Sequence, residues 1–157
     1  MSIEKVRNYL KEYGRDGDIM EFEVSSATVE LAAIAVGVEG ARIAKSLSFS
    51  DKQGGGFVVV VAGDARIDNK KFKATFGMKA SMLSHEEAQE ITGHAVGGVC
   101  PFALPENVPA YLDVSMKRFE TVFPAAGSSN SAIELTCDEL EQLSKCKGWV
   151  DVCKLPE

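Results

Sequence analysis

The chain has 157 residues, 45% of them apolar and 25% charged, the values of an ordinary globular domain large enough to bury a core without staples. Its formal net charge of −6 excludes a general nucleic-acid coat protein, which needs clustered Lys and Arg on phosphate. The longest apolar run, 57–62, is far too short to span a bilayer, and residues 1–5 lack the basic-then-apolar pattern of a secretion signal, so a cytoplasmic protein with no membrane partner is expected.

Ile3, Val6, Leu10 and Tyr13 recur at helical spacing ahead of Gly14, a C-terminal cap, which predicts a helix over 2–13. Residues 18–24 read as a strand with Ile19, Met20, Phe22 and Val24 as its apolar members. Ser25 and Ser26 offer an N-cap to a helix whose face is Val29, Ala32, Ala33 and Val36 and which stops at Gly37. After Gly40 the period switches to two, with Ile43, Lys45, Leu47 and Phe49 on one face and Ala44, Ser46, Ser48 and Ser50 on the other. Lys45 thus falls among apolar neighbours. Burying an unpaired ammonium costs on the order of several kcal/mol. Lys45 is therefore either a strand-end lysine that snorkels to water or a cation held in a pocket for an anionic or carbonyl oxygen.

Residues 51–56 form a hairpin loop, and 57–62 an antiparallel partner strand buried on both faces. Asp68 or Asn69 caps a short helix through Phe76. Across 65–80, Arg66, Lys70, Lys71, Lys73 and Lys79 stand against Asp68 alone. In the plainest reading this is a solvated helix face; it is also where a polyanion would dock. Residues 81–83 form a short strand, and Ser84 with Glu87 is a capping box opening a helix to about Thr92.

That helix runs into an uncharged loop, 92–105, carrying Gly93, Gly97 and Gly98 together with Pro101 and Pro105. The glycines let another backbone or a ligand come close, and Pro101 keeps Cys100 out of the helical region. Such a loop is either a buried crossover or a device that aims backbone N–H groups at a bound group. Residues 110–114 and 121–125 read as strands, with 115–120 open between a helical turn and extended chain. Residues 126–130 make a polar turn rich in donors, and 131–135 a strand. Thr136 with Glu139 is a second capping box, opening a helix to about Lys145, and 149–153 is the last strand. With no repeat and no linker, the expectation is one α+β domain over 1–157. Its sheet is expected to be mixed, mainly antiparallel, barrel-like and flanked by helices.

Three segments taken together, in this order and spacing, resemble one family: the strand Ile43-Ala44-Lys45-Ser46-Leu47-Ser48-Phe49, the loop from Thr92 to Pro101, and the turn and strand from Gly127 to Leu135. They are similar to the YbaK/prolyl-tRNA-synthetase-associated domain, whose stand-alone members are aminoacyl-tRNA editing deacylases. The resemblance implies hydrolysis of the ester joining a wrong amino acid to tRNA, usually tRNA for proline, without metal or other cofactor. Aminoacyl-tRNA is then the partner, with prolyl-tRNA synthetase as a further one. By the same resemblance Lys45 matches the family's essential lysine. Gly97-Gly98-Val99-Cys100-Pro101 matches its GxxxP loop, with Gly97 and Gly98 as backbone donors, and Gly127-Ser128-Ser129 matches a turn that closes the site. Ser26, Val99, Cys100, Pro101 and Phe102 are expected around the substrate, and Arg66, Lys70, Lys71, Lys73 and Lys79 on the acceptor stem. Where the cysteinyl-tRNA branch has a tyrosine and an aspartate, this chain has Phe22 and Ala132. Both changes remove a polar group from the pocket, leaving alanine, serine, threonine and cysteine open as the amino acid removed.

Two other readings bear on the same residues. The fold could hold aminoacyl-tRNA or a protein without turnover, although a pure binder has no need of a buried cation. Cys100 could act as a thiol nucleophile with His94 as base, but nothing in the chain orients His94 toward it, and a cysteine in an apolar loop is ordinarily inert. The cysteines Cys100, Cys137, Cys146 and Cys153 form no CxxC pair; with only His85 and His94 to join them, free thiols and no zinc site are expected.

Overall fold

The chain was analysed as a computed structural model that describes residues 2–95 and 97–156. Its centre is the uncharged run β3 (Gly56–Ala62), every residue of which is buried. A strand that carries no polar face must be covered on both sides. It pairs antiparallel with β2 (Ile43–Ser50) over seven residue pairs, with Lys45 opposite Val61, and parallel with β5 (Ala110–Asp113). Beyond β2 come β6 (Thr121–Pro124), parallel, and then β8 (Leu135–Thr136), antiparallel; beyond β5 comes β9 (Trp149–Val150), parallel. The result is a curled, mixed six-stranded half-barrel ordered β8-β6-β2-β3-β5-β9. Two separate antiparallel pairs accompany it: β1 (Met20–Glu21) with β7 (Ser131–Ala132), and β4 (Arg66–Ile67) with β10 (Cys153–Lys154).

Five helices are described: α1 (Ser2–Lys11), α2 (Val29–Val36), α3 (Asn69–Phe76), α4 (His85–Thr92) and α5 (Cys137–Ser144). Both capping boxes form as expected: Ser84 with Glu87 opens α4, and Thr136 with Glu139 opens α5. Asp68 caps α3 by accepting from the N–H groups of Lys70 and Lys71. That helix is pinned to the sheet through aromatic rings, Phe72 lying 4.9 Å from Phe49 on β2 and Phe76 4.9 Å from Phe57 on β3 between ring centres. Among the described residues no helix is long and apolar enough to cross a membrane.

Five expectations change. The strand expected over 81–83 is reduced to a single antiparallel bridge between Met82 and Phe49. The strand expected over 18–24 shrinks to β1, because residues 16–18 make a 3₁₀ turn and Phe22 bonds to the Asn130 carbonyl. The N-cap of α2 is Thr28, which accepts from the Leu31 N–H, and not Ser25 or Ser26, which turn instead to the Ser129 carbonyl. The strand expected over 131–135 splits, its first half pairing with β1 and its second with β6. The strand over 149–153 splits likewise between β5 and β4. Residues 114–118 form a 3₁₀ turn, which answers the open reading of 115–120.

The last split depends on Asp113, a fully buried carboxylate at the end of β5. Its two oxygens accept the Ser115 N–H at 2.9 Å and the Val152 N–H at 2.8 Å, tying the C-terminal segment to the sheet. Replacing it leaves two buried donors without acceptors. Asp113→Ala should therefore cost about 2–4 kcal/mol and Asp113→Asn less, read as a lowered urea midpoint.

Candidate active site

A cleft of about 360 Å³ opens beside β2. Residues 43–48 form its floor. Its walls are the start of α2 with Ser26, the segment from Met82 to Ala88, Gly97 and Val99 of the glycine loop, and Phe123, Ala125, Ser131 and Ala132. Most of this surface is apolar, and Met82 on its rim is 60% exposed.

Lys45 is part of this floor, half-buried, and its ammonium donates to the Gly63 carbonyl at 3.4 Å. Among the described residues it makes no ion pair within 4 Å. Burial is the main force holding its pKa below the ordinary lysine value, and the positive charge of Arg66 adds to it. The nearby Asp64 opposes this, but its carboxylate is held by Arg118 at 3.0 and 2.5 Å. The cleft thus presents a partly desolvated cation with no ion-pair partner among the described residues, ready for an anionic or developing negative oxygen.

The group that aims this lysine was missed in the sequence. Gly63 follows β3 directly, and a Cβ there would lie 2.0 Å from the Gly40 carbonyl oxygen. Its own N–H points to the Ala41 carbonyl at 3.3 Å. The chain crossing fixes the Gly63 carbonyl that Lys45 meets. In sequence, Gly63-Asp64 looks like any strand-ending turn.

The glycine loop and the 127–129 turn come together, as their shared resemblance implies. Gly97, at φ +82°, fits only because it has no side chain: a Cβ there would lie 2.9 Å from Ala27 Cβ and 3.1 Å from Ser129 Cβ. At Gly98 a Cβ would sit 2.8 Å from the Gly127 carbonyl and from the Ser128 nitrogen. Of the two uses open for these glycines, Gly98 serves the approach of another backbone. Its N–H is committed to the Ala95 carbonyl at 2.9 Å, so the expectation of an oxyanion donor at Gly98 is corrected. Gly97 lies at the cleft wall; Val96 is outside the described residues.

Further along the loop, Val99 also lines the cleft, whereas Cys100 and Phe102 are fully buried beneath it. Pro101 faces a second cavity of about 410 Å³ on the far side. The structure also corrects the expectation that nothing orients His94 toward Cys100: its Nε2 lies 3.7 Å from the sulfur. This is nevertheless not a nucleophilic pair. Nε2 meets the Phe102 carbonyl at 2.8 Å, which requires a proton on that nitrogen and leaves it no lone pair to act as base. Burial pushes the Cys100 thiol up to about 12.

Ser26 lines the cleft and is fastened through both its N–H and its hydroxyl to the Ser129 carbonyl, at 2.6 and 3.2 Å. Ser129 therefore acts through its backbone. The Ser128 hydroxyl is turned inward to Asn130 and Ser131 at 2.9 and 2.7 Å. Ala132 lines the cleft, but Phe22 is not among the lining residues and is fixed by Asn130 at both its N–H and its carbonyl. Ser46 was also missed: it lines the cleft beside Lys45, and its hydroxyl is buried without a hydrogen-bond partner among the described residues. Period-two reading put it on the face opposite Lys45, yet the floor takes in both.

The basic residues Arg66, Lys70, Lys71, Lys73 and Lys79 are all exposed. Lys71 is engaged with Asp151 at 3.1 Å and the Cys153 carbonyl at 3.0 Å. The β4–β10 register sets Lys154 opposite Arg66 and so adds a cation that lies far away in sequence.

With this geometry in hand, comparison with known proteins is specific. Residues 23–143 match the family model of the aminoacyl-tRNA editing domain. The chain belongs to this family. The matched span of the editing domain takes in Lys45, Gly63, the glycine loop and the 127–132 turn, and leaves out α1 and the final strands. YwhH of Bacillus subtilis is 57% identical over 154 residues, covering 98% of each chain. A protein of Enterococcus faecalis named "Putative Cys-tRNA(Pro)/Cys-tRNA(Cys) deacylase EbsC" is 29% identical over 118 residues, covering 74% of this chain and 72% of its own. A solved structure described as "a putative trans-editing enzyme for prolyl tRNA synthetase" superposes with a TM-score of 0.86 at 31% identity, over 98% of this chain and 97% of its own. The curled half-barrel is the fold of the editing domain.

Because the Gly63 carbonyl is where it is only through the crossing with Gly40, Gly63→Ala should displace it. The expected outcome is a loss of about 1–3 kcal/mol of stability together with a shift of the Lys45 side-chain NMR signal, while Gly77→Ala, at a helix end with open space, moves no cleft signal.

Proposed function

We propose that this editing domain, read as one unit over the whole chain, hydrolyses the ester of mischarged tRNA in trans, without a metal. The observation that carries the reading is Lys45, which among the described residues has no ion-pair partner, lining a mainly apolar cleft whose volume suits a small aminoacyl group on a terminal adenosine. An aminoacyl ester beside a ribose hydroxyl is already activated, so the protein's task is placement and charge stabilisation. Lys45 holds the terminal phosphate or the developing oxyanion. The Gly97 edge of the loop borders the same oxygen. The water is oriented by the nucleotide's own 2′-hydroxyl or by backbone groups, since neither His94 nor Cys100 is available. The exposed cations from Arg66 to Lys79 meet acceptor-stem phosphates through salt-sensitive contacts. The substrate tRNA is the one for proline, with prolyl-tRNA synthetase as a further partner. With Ala132 in the wall, the amino acid removed is a small one: alanine, serine, threonine or cysteine.

The test is release of amino acid from tRNA for proline charged separately with Ala, Ser, Thr, Cys and Pro. Wild type should clear at least one mischarged species and spare Pro-tRNA, and Lys45→Ala should lose about 10²-fold or more in kcat/KM. If no species is cleared faster than in buffer, this reading fails. The pH dependence has a definite sign. Burial lowers the Lys45 pKa, so the enzymatic rate above the buffer rate should fall as pH rises through that lowered value, before an ordinary lysine would lose its proton.

A further inference from the structure

The deacylase mechanism leaves the buried imidazole of His94 without a task. His94 is fully buried, and a buried imidazole needs partners for its ring nitrogens. It follows Gly93, the left-handed cap of α4 at φ +79°, whose N–H returns to the Gln89 carbonyl. Its backbone N–H donates to Thr92 Oγ1 at 3.2 Å, and the Thr92 hydroxyl donates to the Ala88 carbonyl at 2.6 Å. His94 is thereby fastened to the last turn of α4. From that anchor its Nε2–H reaches the carbonyl of Phe102, itself fully buried, at 2.8 Å. One bond thus joins the two ends of the stretch 94–102, and the cleft-lining residues Gly97 and Val99 lie inside the closed span. The Cys100 thiol packs beneath the bond, 3.8 Å from the same carbonyl.

We propose that His94 is a positioning residue for the glycine loop: its Nε2–H···O=C bond to Phe102 holds the loop in the shape that turns Gly97 and Val99 toward the cleft. Glycines have the most backbone freedom to lose, so a loop that needs Gly97 and Gly98 for close approach to the 127–129 turn also needs an outside constraint. The clasp supplies it from a helix end. His94 touches no substrate and moves no proton. Its effect on the reaction rests on the deacylase reading given above; its effect on the loop does not.

The test uses two variants of the full chain, with the mischarged tRNA that wild type clears as substrate. His94→Leu fills similar space and donates nothing; the side-chain amide of His94→Gln can donate to the same carbonyl. His94→Leu should lower kcat about tenfold or more with KM within about twofold, and His94→Gln should recover most of the loss. Amide exchange at 97–99 should rise about tenfold in His94→Leu and little in His94→Gln, with the β3 amides unchanged. An unchanged kcat, a change confined to KM, or unchanged loop exchange in His94→Leu overturns the proposal. If His94→Leu does not fold, nitrogen NMR of the wild-type imidazole decides. A proton resident on Nε2 and slow to exchange supports the clasp, and one resident on Nδ1 alone overturns it. If wild type clears no mischarged tRNA, the deacylase reading fails, while the exchange and imidazole measurements still decide the clasp.

Discussion

The site depends on two places where backbone meets backbone too closely for any side chain. At the first, Gly63 passes Gly40 so that a Cβ would lie 2.0 Å from a carbonyl oxygen, and the Gly63 carbonyl is left facing the Lys45 ammonium. At the second, Gly98 lies on the Gly127–Ser128 peptide, bringing the loop after α4 against the turn before β7. Interiors are close-packed, so a displacement of a few tenths of an ångström at either crossing passes directly to its neighbours. The first crossing aims the cation and the second shapes the wall opposite. A cleft that works by placement, with no strong nucleophile in it, has most to lose from such shifts.

The chain is acidic overall but not uniformly so. The exposed cations cluster on α3 and the β4–β10 edge, and Arg66 lies close enough to Lys45 to weigh on its pKa. A polyanion drawn to that edge would therefore have the Lys45 end of the cleft beside it. Repulsion elsewhere on the surface would discourage other modes of binding.

Much of the fold was legible because it rests on local chemistry. The two capping boxes, the Asp68 cap, the wholly apolar β3 and the period-two pattern of β2 each state their structure within a few residues. The strands that split, 131–135 and 149–153, were not legible, because their division is decided by distant partners: Asp113 receiving Val152, and Pro124 receiving Ile133. In the site, Lys45 stood out as a charge in apolar company, and the glycine loop and the 127–129 turn stood out by composition. Gly63 and Ser46 did not, since one resembles an ordinary turn and the other an ordinary outward-facing serine. The His94 contact with Phe102 spans only eight positions, yet no residue type along the way announces it.

The most direct measurement of the central claim is binding of an amide-linked 3′-aminoacyl-adenosine 5′-phosphate, which cannot be hydrolysed, followed by NMR on wild type and Lys45→Ala. The account predicts signal shifts at Ser46, Gly97 and Val99 in wild type, and an affinity about tenfold or more weaker once the ammonium is gone. Shifts confined to the far side of the loop, or equal affinity in the two proteins, would contradict it.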